Sequence, residues 1–233
     1  MPDDDGRAII SLFGVHKRYG AKGALSDVSF EVARRELLFI TGPSGAGKTT
    51  LLKLLYLAEP VSDGQILVDG MNLSRLSRRR IPHLRRKLGI IFQDYKLIPS
   101  KTVFNNVALV VEAAGGRGRW VRKKVAGLLR TVGMEDKGRA FPPSLSGGEQ
   151  QRVAVARAIA TDPEIILADE PTGSLDAESA GIIFDLLQAL NARGATVMVA
   201  THDTALIRKT GGRVIILNDG RVETATVIPR LPA

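Results

Sequence analysis

At 233 residues, 44% apolar and 24% charged, the chain can bury the core of one large α/β domain, or of one domain with a subdomain. It has no cysteine, which excludes disulfides and Cys-based metal or redox sites and fits a reducing cytoplasm, and no segment reaches the ~18 apolar residues of a membrane span. Its 33 Lys and Arg against 24 Asp and Glu give a formal charge of +9, which favours an anionic neighbour: a nucleotide, a nucleic acid or a membrane surface.

The first six residues are acidic and argue against a secretory signal. Residues 8–13 and 28–32 are β-type runs separated by polar and glycine residues, and they read as an antiparallel pair. Between them stands Arg18-Tyr19-Gly20, whose ring could stack on a base. Taken alone, Tyr19 fits an ordinary strand or loop tyrosine as well. Residues 37–41 form an apolar run of strand length, and 50–55 read as a helix. Gly42-Pro43-Ser44-Gly45-Ala46-Gly47-Lys48-Thr49 lies between them, and strand, glycine-rich loop and helix in that order give a phosphate-binding P-loop. The glycines let the backbone turn tightly and aim its N–H groups at an anion, and the helix start adds its positive dipole end. The Lys48 ammonium suits β- and γ-phosphates, and the Thr49 hydroxyl suits Mg²⁺.

Further along, 62–64 read as a turn and 65–70 as a short strand and turn. Residues 84–88 lead into an apolar strand, 89–93, that ends on Gln93. Residues 102–138 carry apolar positions at helical spacing, broken by Gly115-Gly116-Arg117-Gly118, and predict a small helical subdomain. Two basic clusters stand out: Arg75, Arg78, Arg79, Arg80, Arg85, Arg86 and Lys87, then Arg117, Arg119, Arg122, Lys123 and Lys124. Either could be a solvated face.

Residues 141–144 read as a loop. In Leu145-Ser146-Gly147-Gly148-Glu149-Gln150, Ser146 and Glu149 have capping-box spacing, so a helix starts after Ser146 and runs to about residue 160, where Asp162-Pro163 stops it. Its N-terminal N–H groups and two glycines make an anion seat free of side-chain bulk. Residues 165–170 form an apolar strand ending in Asp169 and Glu170: one carboxylate can support a metal and the other can polarise a water. Ser174-Leu175-Asp176 reads as a loop, 178–192 as a helix, and 195–200 as a buried strand ending at Thr201-His202-Asp203. Residues 213–217 and 221–224 read as a closing hairpin, and 227–233 as a loose tail.

In this order, Tyr19, the P-loop, Gln93, the 145–150 segment, Asp169-Glu170, Asp176 and His202 resemble the ATP-binding-cassette (ABC) ATPase family, from about residue 9 to 222. The Leu-Ser-Gly-Gly-Glu-Gln signature ahead of the carboxylate strand is the specific part. The resemblance implies an α/β P-loop NTPase fold: one ATP-binding domain over 1–233, with a RecA-like core, an antiparallel β subdomain and a helical subdomain at about 94–160. It implies ATP and Mg²⁺ as cofactors. Tyr19 would stack on adenine; Gly42, Pro43, Ser44, Gly45, Ala46, Gly47, Lys48, Thr49 and Thr50 would hold the triphosphate. Thr49, Gln93 and Asp169 would serve the metal; Glu170 would be the general base, with His202 and Lys48 at the γ-phosphate. Ser146, Gly147, Gly148 and Glu149 would bind the nucleotide of a second copy, and Asp176 would lie near that seam, so a head-to-tail nucleotide-sandwich homodimer follows. Glu149 stands where the commonest signature has Gln, and Ser174 where several relatives have Asn.

Three stretches further resemble the FtsE-type cell-division branch of that family: 51–56; 81–86 running on to Phe92-Gln93-Asp94; and 102–108. That resemblance implies an FtsX-like integral membrane partner, which places the chain in the cytoplasm on the inner face of the cell membrane and puts cell-wall hydrolases and division proteins indirectly under its control. The 75–87 cluster would then face the anionic leaflet or the partner's cytoplasmic end. The alternative is the ATP-binding subunit of a lipoprotein-release or macrolide-export transporter. No specific nucleic acid is expected.

Overall fold

The computed structural model describes residues 8–228. The acidic segment 1–6 and residues 229–233 of the expected tail lie outside the described residues.

Two sheets organise the α/β fold. The first is antiparallel. Strands β1 (Ala8–Tyr19) and β2 (Lys22–Ala33) pair, and β1 pairs on its other edge with β4 (Asp63–Val68), which pairs with the two-residue β5 (Met71–Asn72). β1 and β2 are longer than their apolar runs suggest, and Tyr19 is a strand residue, not a loop residue. Gly14, at φ 53, sits in a register shift of β1, so the pairing continues past a bulge that interrupts the hydrophobic alternation.

The second sheet has the order β10-β9-β3-β8-β7-β6. Its strands β3 (Leu37–Thr41), β8 (Thr196–Ala200), β7 (Ile165–Asp169) and β6 (Leu88–Ile91) run parallel. These are short apolar runs covered on both faces, as parallel strands require. Period-two alternation sends Leu38 and Ile40 to one face and Phe39 to the other. On the first face lie Leu51, Leu52, Leu54 and Leu55 of helix α1 (Lys48–Leu55) together with the antiparallel sheet. Each such buried leucine contributes about 1.5–3 kcal/mol. On the other face lie α3 (Val103–Ala113), α4 (Gly118–Thr131), α5 (Gly147–Ala158) and α6 (Ala177–Ala192).

Several local readings change. Strand β7 ends at Asp169, so Glu170 lies just past it. Residues 81–86 form helix α2 (Ile81–Arg86), preceded by two single-turn 3₁₀ segments; with only Leu84 buried, no apolar stripe marked it. Helix α5 stops at Ala158, two residues early, because Ile159 already leaves the helix before Asp162-Pro163 is reached. A short helix α7 (Thr204–Thr210), capped by Asp203, follows β8. The closing hairpin is β9 (Gly212–Asn218) and β10 (Arg221–Ile228), turning at Asp219 and Gly220 with φ 45 and 73. Val227 and Ile228 pair with Arg213 and Gly212, so the expected loose tail begins as strand. Among the described residues, no helix is long and apolar enough to cross a membrane.

Candidate active site

The parallel sheet decides which residues meet. The chain leaves β3 into the glycine-rich loop, β8 into Thr201 and His202, β7 into Glu170, and β6 towards Gln93. The strand ends are level: Ile40 lies beside Ala200, Ala200 beside Asp169, and Ala168 beside Ile91. Residues scattered over more than 150 positions are thus set in one row outside the carboxyl ends of the strands, where open α/β sheets bind ligands. Main-chain bonds tie the row together, with Glu170 N donating to Ala200 O (2.8 Å) and Thr201 N to Ile40 O (3.0 Å).

A cleft of about 580 Å³ opens there, walled by Tyr19, residues 44–50, Gln93, Glu170 and His202. Gly42 and Pro43 are not on its wall. The Lys48 ammonium donates to their carbonyls at 2.8 and 3.2 Å. Two glycines are needed for space as well as for their φ of 144 and 105. A Cβ on Gly42 would lie 2.0 Å from the Leu217 carbonyl, and one on Gly47 would lie 2.7 Å from that of Ala24. Lys22, Gly23 and Ala24, which carry no motif, complete the wall beside the loop. The buried Lys17 holds Tyr19 at the cleft's edge. Its ammonium lies 4.7 Å from the ring centroid and is fixed by Glu59 (3.0 Å) and the Pro60 carbonyl (2.9 Å).

Glu170 is the nearly buried centre of the row. One carboxylate oxygen lies 3.7 Å from Lys48 Nζ, the other 2.9 Å from His202 Nδ1. Its backbone has φ 44, a left-handed conformation that is uncommon for Glu. Beside it, Thr49 Oγ1 donates to Asp169 at 3.0 Å, and Thr49, Gln93 and Asp169 share a second hollow of about 600 Å³.

Burial raises the Asp169 carboxyl above its ordinary range; the Thr49 hydroxyl opposes the shift and the Glu170 charge adds to it. A carboxyl raised in this way binds its proton more tightly folded than unfolded. Its ionisation therefore costs stability above the folded pKa, and the cost fades as pH falls through the folded towards the unfolded value. Nucleotide-free Asp169→Asn is accordingly expected to melt on the order of 2 °C higher at neutral pH, with the gain vanishing on acidification. A lower melting temperature at neutral pH would contradict this reading.

The signature segment is well formed but stands apart. Ser146 caps α5: Glu149 N donates to Ser146 Oγ (3.2 Å), and Glu149 Oε2 accepts from Ser146 N (2.9 Å). That backbone bond, ahead of the partly opposing burial, holds the Glu149 carboxyl below its ordinary value. A Cβ on Gly148 would meet Ser179 Oγ at 2.4 Å, so the glycine lets α6 approach closely. None of residues 145–150 lines the cleft of their own chain. Asp176 caps α6 through Ser179 N (2.8 Å), and these bonds depress its carboxyl pKa.

A link that no motif announced joins these parts. Tyr95 and Lys96, with φ 58 and 51, follow Gln93, and the Arg157 guanidinium of α5 donates to both their carbonyls at 2.6 and 2.5 Å. The Tyr95 hydroxyl lies 3.1 Å from Ser174 Oγ and 2.9 Å from where a Gly147 Cβ would stand. Tyr95→Phe or Ser174→Ala is expected to lower ATP turnover about fivefold, the scale of one hydrogen bond. The double variant should lose no more than either single one, as a coupled pair requires. Multiplied losses would show that the two act separately.

The ABC transporter family model matches residues 25–173, more than half of the chain. The chain belongs to this family and is a nucleotide-binding ATPase of the ABC type. It is 43% identical over 216 residues to the cell division ATP-binding protein FtsE of Streptococcus pneumoniae, covering 92% of this chain and 94% of that one. It is 46% identical over 209 residues to the FtsE of Escherichia coli, covering 89% and 94%. Among solved structures it superposes with a TM-score of 0.87 on a dimeric ATP-binding cassette in a post-hydrolysis state with ADP and Pi, at 36% identity over 95% of this chain and all of that one. A dimeric bacterial ABC transporter cassette gives the same TM-score at 37% identity.

Proposed function

We propose that two copies of the chain close head to tail over two ATP molecules, and that this closure drives an FtsX-like integral membrane partner controlling cell-wall hydrolysis in cell division. The observation that carries the reading is the split site. The chain builds a complete seat at Ser146–Gly148 and a cleft holding Glu170, and the seat does not line that cleft. A second copy's seat supplies the missing wall. FtsE relatives at 42–46% identity supply the cell-division context, and the dimeric cassettes supply a precedent for assembly.

In this reading the adenine stacks on Tyr19, and the amides of residues 44–50 with Lys48 take the triphosphate. Glu170 accepts the proton of the attacking water, while His202, anchored to Glu170, reaches the γ-phosphate. Ser146, Gly147, Gly148 and Glu149 face the γ-phosphate of the other copy, where a helix N-terminus stabilises developing charge. The donor set fits Mg²⁺: Thr49, Gln93 and Asp169 offer hard oxygen ligands around one hollow. Among the described residues no three His, Cys, Asp or Glu cluster to hold an ion alone, so the cation would share its shell with the phosphates. When bound, it neutralises charge on the phosphate oxygens.

The partner holds the chain on the inner face of the cell membrane. A transporter subunit is the second reading, favoured by the transporter cassettes among the structural neighbours. Purification of the tagged chain from solubilised membranes separates the two. A four-span partner with a small extracytoplasmic domain, whose loss stops wall hydrolysis, supports the first; co-purification of a lipoprotein- or macrolide-exporting permease overturns it.

A further inference from the structure

The first basic cluster lines a groove, and the second begins three residues beyond that groove's floor. Its floor is apolar, formed by Leu88, Ile90, Val110, Ala113 and Ala114, and its volume is about 380 Å³. Pro82, Arg85 and Arg86 of α2 form one wall, and Arg78, Arg79 and Arg80 lead into it, all exposed. Arg117 follows Ala114 by three residues, within about 11 Å of the floor. Arg119, Arg122 and Lys123 continue along the exposed side of α4. Trp120 is 55% exposed, with its ring against Gly116, and lines a separate hollow with Lys123, Lys124, Asp162 and Glu164.

Basic charge exceeds acidic charge on this face, where the nearby carboxylates are Glu112 of α3 and the Asp162 and Glu164 of Trp120's hollow. Neither 70–93 nor 113–134 contains an Asp or Glu. Lys87 is neutralised by Asp69 and Glu164, and Lys124 by Asp162. Among the described residues, Arg78, Arg79, Arg80 and Arg86 have no carboxylate partner, nor do Arg117, Arg119, Arg122 and Lys123. The face also lies at the end of the sheet opposite the cleft, since Lys87 and Glu164 directly precede β6 and β7.

We infer that this face docks directly on an anionic phospholipid bilayer. Guanidinium forks match headgroup phosphates, and basic side chains near an anionic leaflet add their attractions. An exposed Trp amid cations, next to an apolar floor, has the chemistry of the lipid–water boundary. Nucleic acid fits less well. Single strands need a row of stacking rings, and here one ring is exposed; a duplex groove takes a long helix, and α2 has six residues.

The test uses the full chain, without nucleotide or partner, on vesicles of phosphatidylcholine alone or mixed with phosphatidylglycerol. The chain is expected to float with the mixed vesicles only. Trp120 is the single tryptophan, so its emission reports directly and is expected to shift to the blue on binding. Arg78→Ala/Arg79→Ala/Arg80→Ala is expected to weaken partitioning by about tenfold or more. Arg208→Ala/Lys209→Ala/Arg221→Ala removes the same charge elsewhere and is expected to bind as the parent does. Equal ATP turnover in the parent and both variants shows that fold and cleft are intact, so failure here leaves the dimer reading untouched. Four results overturn the inference: no binding by the parent, equal losses in both variants, an unshifted Trp120 emission on bound vesicles, or duplex DNA binding that depends on Arg78–Arg80 while vesicles are ignored.

Discussion

Glu170→Gln is expected to lower ATP turnover by about 10²–10⁴-fold, the usual contribution of a positioned general base. The substitution keeps the shape of the side chain and one acceptor oxygen, so the contacts with His202 Nδ1 at 2.9 Å and with the backbone of the row need not break. What is lost is the capacity to take a proton. ATP binding should therefore persist, because the loop amides, Lys48 and Tyr19 are unchanged. Steady-state turnover and equilibrium ATP binding, measured on the same preparation, check the prediction. Turnover at the parent rate removes Glu170 from the mechanism.

Lys48→Ala acts on the other half of the reaction. The ammonium is buried, with 8% of the residue exposed, and is held by two loop carbonyls and by Glu170. Losing hydrogen bonds to a charged ligand costs about 1.5–3 kcal/mol, so ATP affinity should fall roughly ten- to a hundredfold. The variant also removes the cation 3.7 Å from Glu170, so turnover at saturating ATP should fall too, which separates it from a pure binding defect. Isothermal titration together with saturating-substrate rates tests both parts, and unchanged affinity would take the loop out of the account.

Much of this site was legible in the sequence because its chemistry forces particular residues into short runs. A phosphate cradle needs glycine where a Cβ would strike Leu217 or Ala24, and a capped helix needs Ser146 and Glu149 three residues apart. The strands feeding the site are buried on both faces and so are continuous apolar runs. What escaped depends on distance. Nothing local shows that β3, β8, β7 and β6 are neighbours in that order, yet the order alone sets His202 and Glu170 in one row with the loop. Lys22, Gly23 and Ala24 became cleft wall only through the bulged β1–β2 hairpin. Arg157 sits in a helix whose motif lies at its other end, and its two carbonyl acceptors are some sixty residues away. Helices α2 and α7 were missed because each is short: α2 is set by the packing of Leu84 and α7 by its Asp203 cap, not by periodicity.

The link from Arg157 through Tyr95 to Ser174 also suggests how the halves communicate. In the proposed dimer a seat closing on a second copy's nucleotide would act on α5, and α5 holds the loop that follows Gln93 through Arg157. Rigid coupling of this sort would let occupancy of one cleft be felt at the other half-site of the same chain.

A site completed by a second chain should be visible as an ATP-dependent change in mass. Sedimentation equilibrium of Glu170→Gln, with and without ATP and Mg²⁺, tests it most directly. A species of twice the chain mass is expected with ATP, a single-chain mass without it, and loss of the dimer when Ser146→Glu is added. A single-chain mass with ATP demonstrably bound would contradict it.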